Sequence, residues 1–382
     1  MAVGLQALGS VATVAVVMLV THRFGLEAQG RFGLIKSWAD TAVALGLLGL
    51  PQALMHMAYH GNTALGRLRA YAERYAGWVL LLALPAAALA ALSPVPWVAW
   101  CLLAVPGLVL HGLLRSLLLK AVGPVGYAVA TVLPAACLLG VVGVLAAVGV
   151  PAFGPGLVLA SLGAAGAMWW LLSRAGLARE PVAGLRMPLH IHSHAFIQNL
   201  AAAAQAAALL GLFSLLGASA AKVGEASISL LVLQLFGVAA AYMAPLIYDR
   251  AARMPLTRRV LTFRPRLLLW PVAAAVGVGA LPWALALAVP QADDSLQRSC
   301  QIMAVAGVLL LANRIIATRL QAQGAFALVT VLALLRLVVS AAALAWVWAA
   351  DWTHAFSLAV LAGEALVIVA TALALLRRRG PA

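Results

Sequence analysis

Long apolar runs follow one another along almost the whole chain, and short polar or basic segments separate them. A bilayer crossing needs about 20 apolar residues, so each run is long enough to form a transmembrane helix. Two separating segments, 93–96 and 151–155, are so short that the helices they join must be antiparallel neighbours. The pattern predicts twelve spans, at residues 4–22, 30–57, 76–92, 96–119, 126–150, 155–173, 190–216, 224–248, 267–289, 298–320, 324–349 and 354–376.

The composition of the 382 residues excludes a water-soluble enzyme. Of these residues 65% are hydrophobic and 9% are charged, with a mean hydropathy of +1.05, whereas soluble domains are nearer half apolar and a quarter charged. The net charge of +15 would suggest nucleic acid in a soluble protein. Here the cations fall between the apolar runs and form no single stripe, so we expect no nucleic-acid partner.

The basic residues also predict the orientation of the chain. With the N-terminus in the cytoplasm, the inner loops contain 19 of the 25 Lys and Arg residues and the outer side contains five. Cytoplasmic loops retain basic residues, so we expect both termini in the cytoplasm. The preference for Arg, Ala, Gly and Leu is typical of a GC-rich bacterium, and we expect a multi-pass protein of the bacterial cytoplasmic (inner) membrane.

The two halves of the chain resemble each other at nearly constant offsets. Gly30 and Pro51, around the second span, recur 194 residues later as Gly224 and Pro245 around the eighth. A second match has an offset of 199: Arg115, Lys120 and residues 126–133 (GYAVATVL) recur as Arg314, Arg319 and residues 325–332 (AFALVTVL).

Six spans separate the two copies, so both copies have the same orientation in the membrane. The repeat predicts an all-α polytopic membrane protein, with twelve transmembrane helices in two parallel six-helix lobes around a central cleft. We place the N-terminal lobe at 1–174, a cytoplasmic linker at 175–189 and the C-terminal lobe at 190–382.

The second span carries a family resemblance. Residues 24–54 (FGLEAQGRFGLIKSWADTAVALGLLGLPQAL) resemble the corresponding segment of O-antigen-type polysaccharide flippases in the multidrug/oligosaccharidyl-lipid/polysaccharide exporter superfamily. The matching positions are Gly25, Gly30, Phe32 and Gly49-Leu50-Pro51, and residues 222–253 are similar to the eighth span of that family. One departure is Leu26, where the family usually has Pro. The resemblance implies a protein that flips undecaprenyl-diphosphate-linked oligosaccharide by alternating access.

Polar residues inside the second and eighth spans are the first candidates for the cleft. Lys36 and Asp40 are four residues apart and share a helix face, and the repeat offset relates Asp40 to Gln234. The alternative is a local Lys36–Asp40 pair and a hydrogen bond from Gln234 to another helix. Arg31, Lys36 and Arg298 are candidates for anionic contacts near the outer opening.

Amides at the start of the C-terminal lobe suit a sugar. Gln198 and Gln205 are seven residues apart on one face of the seventh span, and amides can both donate to and accept from hydroxyls. Packing between helices uses the same chemistry, and the sequence does not separate the two. The preceding histidines, His190, His192 and His194, do not share one face and have no adjacent carboxylate or Cys, so we expect no metal site.

Three further cations and one carboxylate complete the candidate set. Arg115 and Arg314, related by the repeat, form an inner cationic pair for the substrate. Arg336 and Glu364 lie at about the same depth on adjacent spans, and an ionisable group there normally faces the protein interior. They predict either a structural ion pair or a site that couples transport to H⁺ or Na⁺. We expect no other cofactor.

No catalytic apparatus is evident in the sequence. There is no Walker lysine loop to bind ATP, and the outer loops are too short for a membrane glycosyltransferase or polymerase. The expected partners are lipid-linked oligosaccharide and membrane lipids, with polysaccharide polymerase and chain-length proteins as further candidates. Two alternatives stay open: an ion-coupled drug or metabolite antiporter of the same superfamily, and a non-transporting scaffold of a polysaccharide assembly complex.

Overall fold

The computed structural model describes residues 2–60, 63–182, 189–252, 293–322 and 325–377. Every regular element in these segments is an α-helix. The helices are α1 Ala2–Leu47, α2 Leu50–His60, α3 Leu65–Ala91, α4 Trp97–Ala121, α5 Pro124–Val148, α6 Phe153–Arg174, α7 Leu189–Leu215, α8 Ala220–Ala252, α9 Asp294–Ala322, α10 Phe326–Ala349 and α11 Ala355–Arg377.

Ten of the described helices, all except the short α2, are long and apolar enough to cross a membrane. The first predicted span and most of the second lie in α1, and the ninth, 267–289, lies outside the described residues. The other predicted spans each coincide with one helix. The chain is therefore a multi-pass, all-α membrane protein, and this confirms the predicted fold class.

A break at Gly25 divides α1 into two parts. The backbone of Gly25 has φ 86° and ψ 175°, and glycine adopts a positive φ without the steric penalty that a Cβ brings. The prediction of one continuous second span over 30–57 is wrong at its far end. Helix α1 stops at Leu47, Leu48 and Gly49 both have positive φ, and α2 begins at Leu50.

The chain forms two compact units, Met1–Ala207 and Ala208–Ala382. In the first unit α4 is the central helix, and it packs against α1, α2, α3, α5 and α6. Leu113, Leu114 and Leu117 of α4 are fully buried. Gly107 allows α4 to lie against α6, because a Cβ there would stand only 2.8 Å from the carbonyl oxygen of Ser161.

The second unit repeats this packing order. There α9 packs against α8, α10 and α11, as α4 packs against α1, α5 and α6, and α10 contacts α11 as α5 contacts α6. Even a local hydrogen bond recurs at the offset of 199. The Thr131 hydroxyl donates to the Tyr127 carbonyl at 2.9 Å, and the Thr330 hydroxyl donates to the Phe326 carbonyl at 3.0 Å. The predicted lobe boundaries at 174 and 190 stay a prediction.

Candidate functional site

A buried polar cluster lies where α9, α10 and α11 of the second unit meet. Glu364 of α11 is completely buried, and Nη1 of Arg336 on α10 lies 3.4 Å from its Oε1. Asn313 of α9 donates from Nδ2 to Glu364 Oε2 at 2.8 Å and to the Glu364 carbonyl at 3.1 Å. One carboxylate therefore joins three helices, and the predicted Arg336–Glu364 pair exists in the structure.

The close approach of α10 and α11 depends on Gly363, the residue before Glu364. A Cβ at this position would overlap the Ser340 hydroxyl and would lie 3.1 Å from the Arg336 carbonyl oxygen. Ser340 itself is completely buried. Small residues at a helix interface let two backbones come close in a membrane protein, and here this closeness brings Arg336 within reach of Glu364.

Arg314 of α9 adds a second cation to the cluster. Its charge interacts with those of both Arg336 and Glu364, and the residue is exposed although it follows the buried Asn313. The charges of two guanidinium groups thus act on one carboxylate. Because Glu364 pairs with Arg336, Arg314 provides the surplus positive charge. We name Asn313, Arg314, Arg336 and Glu364 the carboxylate cluster.

Three buried atoms of this region have no hydrogen-bond partner among the described residues: Asn313 Oδ1, Arg336 Nε and Ser340 Oγ. Buried polar groups are normally hydrogen-bonded. One donor and two potential acceptors next to a carboxylate can therefore bond to a small polar species. Among the described residues, no group of three or more His, Cys, Asp and Glu could hold a metal ion; the side chains of His190 and His192 lie outside this description.

The candidates on the second part of α1 form local pairs. Lys36 Nζ lies 2.5 Å from Asp40 Oδ2, and both side chains are partly exposed. Arg31, farther towards the kink, pairs with Glu27 at 2.6 Å and is exposed. Each pair lies four residues apart on one helix, so neither by itself indicates a ligand. Their assignment to a cleft stays a prediction.

The amide candidates of α7 lie in the first unit. The Thr41 hydroxyl donates to the Ala203 carbonyl at 3.2 Å, which joins α1 next to Asp40 to the helix that carries Gln198 and Gln205. Gln205 is buried, and its Nε2 has no partner in the described part of the chain. The structure thus links the helices of two predicted groups of site residues within this unit.

The remaining candidates, on α4, α8 and α9, have surroundings that the sequence did not predict. Gln234 on α8 and Arg298 on α9 are both exposed. Arg115 lies over the Tyr127 ring, with Cζ 5.4 Å from the ring centroid. Its repeat-related partner Arg314 belongs to the carboxylate cluster instead, so the structure adds an interaction that the inner-pair assignment did not include.

No protein-family model matches the chain, and no curated protein is similar enough in sequence to match it. Solved structures are similar in fold. An inward-facing multidrug resistance MATE family transporter of the MOP superfamily has a TM-score of 0.70 at 12% identity, covering 98% of this chain and 96% of that one. The MATE multidrug transporter DinF-BH has a TM-score of 0.63 at 16% identity, covering 97% of this chain and 92% of that one. A Vibrio cholerae MATE transporter has a TM-score of 0.60 at 13% identity, covering 98% of this chain and 95% of that one. The chain shares the fold of these solved transporters.

Within this fold, the residues that suggested the flippase resemblance have structural roles. Gly25 forms the kink of α1, and Phe24 and Phe32 on either side of it both contact Phe153 at the start of α6. Their ring centroids lie 5.6 and 5.5 Å from that of Phe153, in edge-to-face arrangements that aromatic pairs favour. Gly49 forms the break before α2. These positions maintain the shape of the helix, so they report on fold more directly than on substrate.

Proposed function

We propose that the chain is an alternating-access transporter that flips undecaprenyl-diphosphate-linked oligosaccharide across the cytoplasmic membrane. The observation that supports this proposal is the surplus positive charge of the carboxylate cluster, carried by the exposed Arg314. A charged side chain within a membrane span is costly and normally marks a substrate or ion pathway. An anionic diphosphate is the part of the substrate that such a cation binds best.

The members of the carboxylate cluster have different roles in this proposal. Glu364 neutralises Arg336 and holds it in place, and Asn313 fixes the carboxylate through its other oxygen. Arg314 then presents its guanidinium to a phosphate, with which it can form two parallel hydrogen bonds. The side-chain amides of Gln198, Gln205 and Gln234 and the Lys36–Asp40 pair are candidates for contacts with the sugars, and the polyprenyl chain stays in the lipid.

The experiment is a flipping assay in vesicles that contain the purified chain and a lipid-linked oligosaccharide. A membrane-impermeant glycosidase reports the sugars that reach its side. Loss of a charge-assisted hydrogen bond costs about 1.5–3 kcal/mol, so Arg314→Gln should slow flipping roughly tenfold to a hundredfold. Arg319→Gln, five residues further along α9, is the matched control. Equal rates in the two variants would remove the role of Arg314 in binding the diphosphate.

The buried carboxylate favours one second candidate, an ion-coupled drug or metabolite antiporter. Glu364 is completely buried beside polar atoms that have no partner among the described residues, which suits a site that binds a coupling ion. In the same vesicles, transport of a cationic dye driven by a pH or Na⁺ gradient, without any flipping of lipid-linked oligosaccharide, would favour the antiporter. If the vesicles show neither activity although polysaccharide assembly in cells requires the chain, the scaffold is favoured.

A further inference from the structure

A groove on the first unit lies where the end of α4, the beginning of α5 and the end of α6 meet. Its volume is about 390 Å³, within the roughly 300–1,000 Å³ of small-molecule sites. The walls are apolar apart from one residue at the edge. They include Leu118 and Val122 of the α4 end, Val125 and Val129 of α5, and Leu171 and Arg174 of α6.

Arg174 is the charged group of this groove. It is exposed, and its Cζ lies 4.4 Å from the centroid of the Trp170 ring. No carboxylate among the described residues forms an ion pair with it. Trp170 and the neighbouring Trp169 are both about half exposed, and tryptophans of this kind mark the membrane–water interface. We therefore expect the guanidinium at headgroup level, at the edge of the apolar groove.

We propose that this groove binds an anionic glycerophospholipid of the cytoplasmic leaflet, with one acyl chain between α4, α5 and α6 and the phosphate at Arg174. Val122 and Val125 are exposed, so an acyl chain would cover apolar surface there. Basic pockets between transmembrane helices on the cytoplasmic side recognise anionic headgroups, and the predicted topology places these three helix ends on that side. The cation selects the headgroup, and the apolar walls accept any acyl chain.

The test uses the full chain in vesicles that contain a photoreactive phosphatidylglycerol or phosphatidylcholine, labelled on the acyl chain. Crosslinks are mapped by mass spectrometry to residues 118–129 and 171–174. One interfacial cation contributes about 1 kcal/mol to the binding of an anionic lipid, so phosphatidylglycerol should crosslink roughly fivefold more than phosphatidylcholine. Arg174→Gln should abolish this difference, whereas Arg319→Gln, at the end of α9 in the other unit, should preserve it.

A second variant tests the contribution of the apolar groove to lipid binding separately from that of the Arg174 charge. Val125→Trp places a large side chain at an exposed position of the wall, and it should reduce crosslinking of both lipids. Equal crosslinking of the two lipids by the unaltered chain would overturn the proposal, as would an unchanged preference in Arg174→Gln. Displacement by undecaprenyl phosphate but not by unlabelled phosphatidylglycerol would also overturn it, because the groove would then belong to the tail of a transported lipid.

Discussion

Arg336 and Glu364 form an ion pair that is almost inaccessible to solvent, with 3.4 Å between Nη1 and Oε1 and with 7% and 0% of their side chains exposed. A buried pair is held together less by its attraction than by the cost of separating it. Removing one partner leaves the other charge without its ion-pair partner, while removing both leaves neutral side chains at positions 336 and 364. This asymmetry makes the contribution of the pair to stability measurable by experiment.

The single variants Arg336→Gln and Glu364→Gln should each destabilise the fold by about 3–5 kcal/mol. Arg336→Gln leaves Glu364 without its ion-pair partner, and Glu364→Gln leaves the charges of Arg336 and Arg314 without a carboxylate to balance them. The double variant should recover much of the folded yield. The stability of each variant is measured by heating it in detergent and determining the remaining folded fraction by size-exclusion chromatography. A double variant as unstable as the sum of the single ones would show that the two side chains do not stabilise each other.

Asn313 should be the second support of Glu364. Asn313→Leu removes two hydrogen bonds, at 2.8 and 3.1 Å, and leaves a buried carboxylate oxygen without its donor, which costs about 1–3 kcal/mol. Thr318→Val on the same helix is the control, because within the described segments the Thr318 hydroxyl donates only to the Arg314 carbonyl of its own helix. Equal thermal stability of the two variants would contradict the role of Asn313.

Gly363 should not tolerate a methyl group. Gly363→Ala forces a Cβ into the Ser340 hydroxyl, and overpacking of this kind typically costs about 1–3 kcal/mol. Ser340→Gly in the same chain removes the obstructing atoms and should restore most of the stability. The control is Gly143→Ala in α5, because a Cβ at that position would have no neighbour within 4 Å. A Gly363→Ala variant as stable as Gly143→Ala would mean that α10 and α11 can separate without loss.

The sequence predicts the helices that carry the carboxylate cluster better than it predicts the contacts between its side chains. Apolar run length determines the spans, and matched depth is enough to suggest that Arg336 and Glu364 meet. Asn313 was missed because one amide in an apolar run looks the same whether it faces lipid, packs or binds a carboxylate. Only the packing of α9 against α11 gives it a partner. The role of Gly363 likewise depends on a residue of another helix.

The same distinction applies in the first unit. The motif that suggested the flippase resemblance includes Gly25 and Phe32, yet Phe32 contacts Phe153, which lies 121 residues later. Periodicity cannot reveal a contact over that distance. The sequence does not predict the break at Leu48 and Gly49 for another reason. The residues on both sides are apolar, so the hydropathy stays high across the point where the backbone turns.

Arg69 should hold the segment that follows α6. This buried residue of α3 bonds to the Leu177 carbonyl and to the Ser173 hydroxyl, and its Nε lies 3.0 Å from Glu73 Oε1. Glu73 in turn pairs with Arg179 at 2.5 Å. The first residues of the predicted linker are thus tied to α3 by one guanidinium and one carboxylate.

Arg69→Met keeps the length of the side chain but removes all of these hydrogen bonds. Backbone amides 177–180 should then exchange with deuterium faster, because local opening no longer has to break the Arg69 contacts. Arg74→Gln is the matched control, since Arg74 lies on the same helix and is exposed. Glu73→Gln should give an intermediate increase, because Arg69 retains its bonds to Leu177 and Ser173 while Arg179 loses its ion pair. Equal exchange at 177–180 in Arg69→Met and Arg74→Gln would show that other contacts hold this segment against α3.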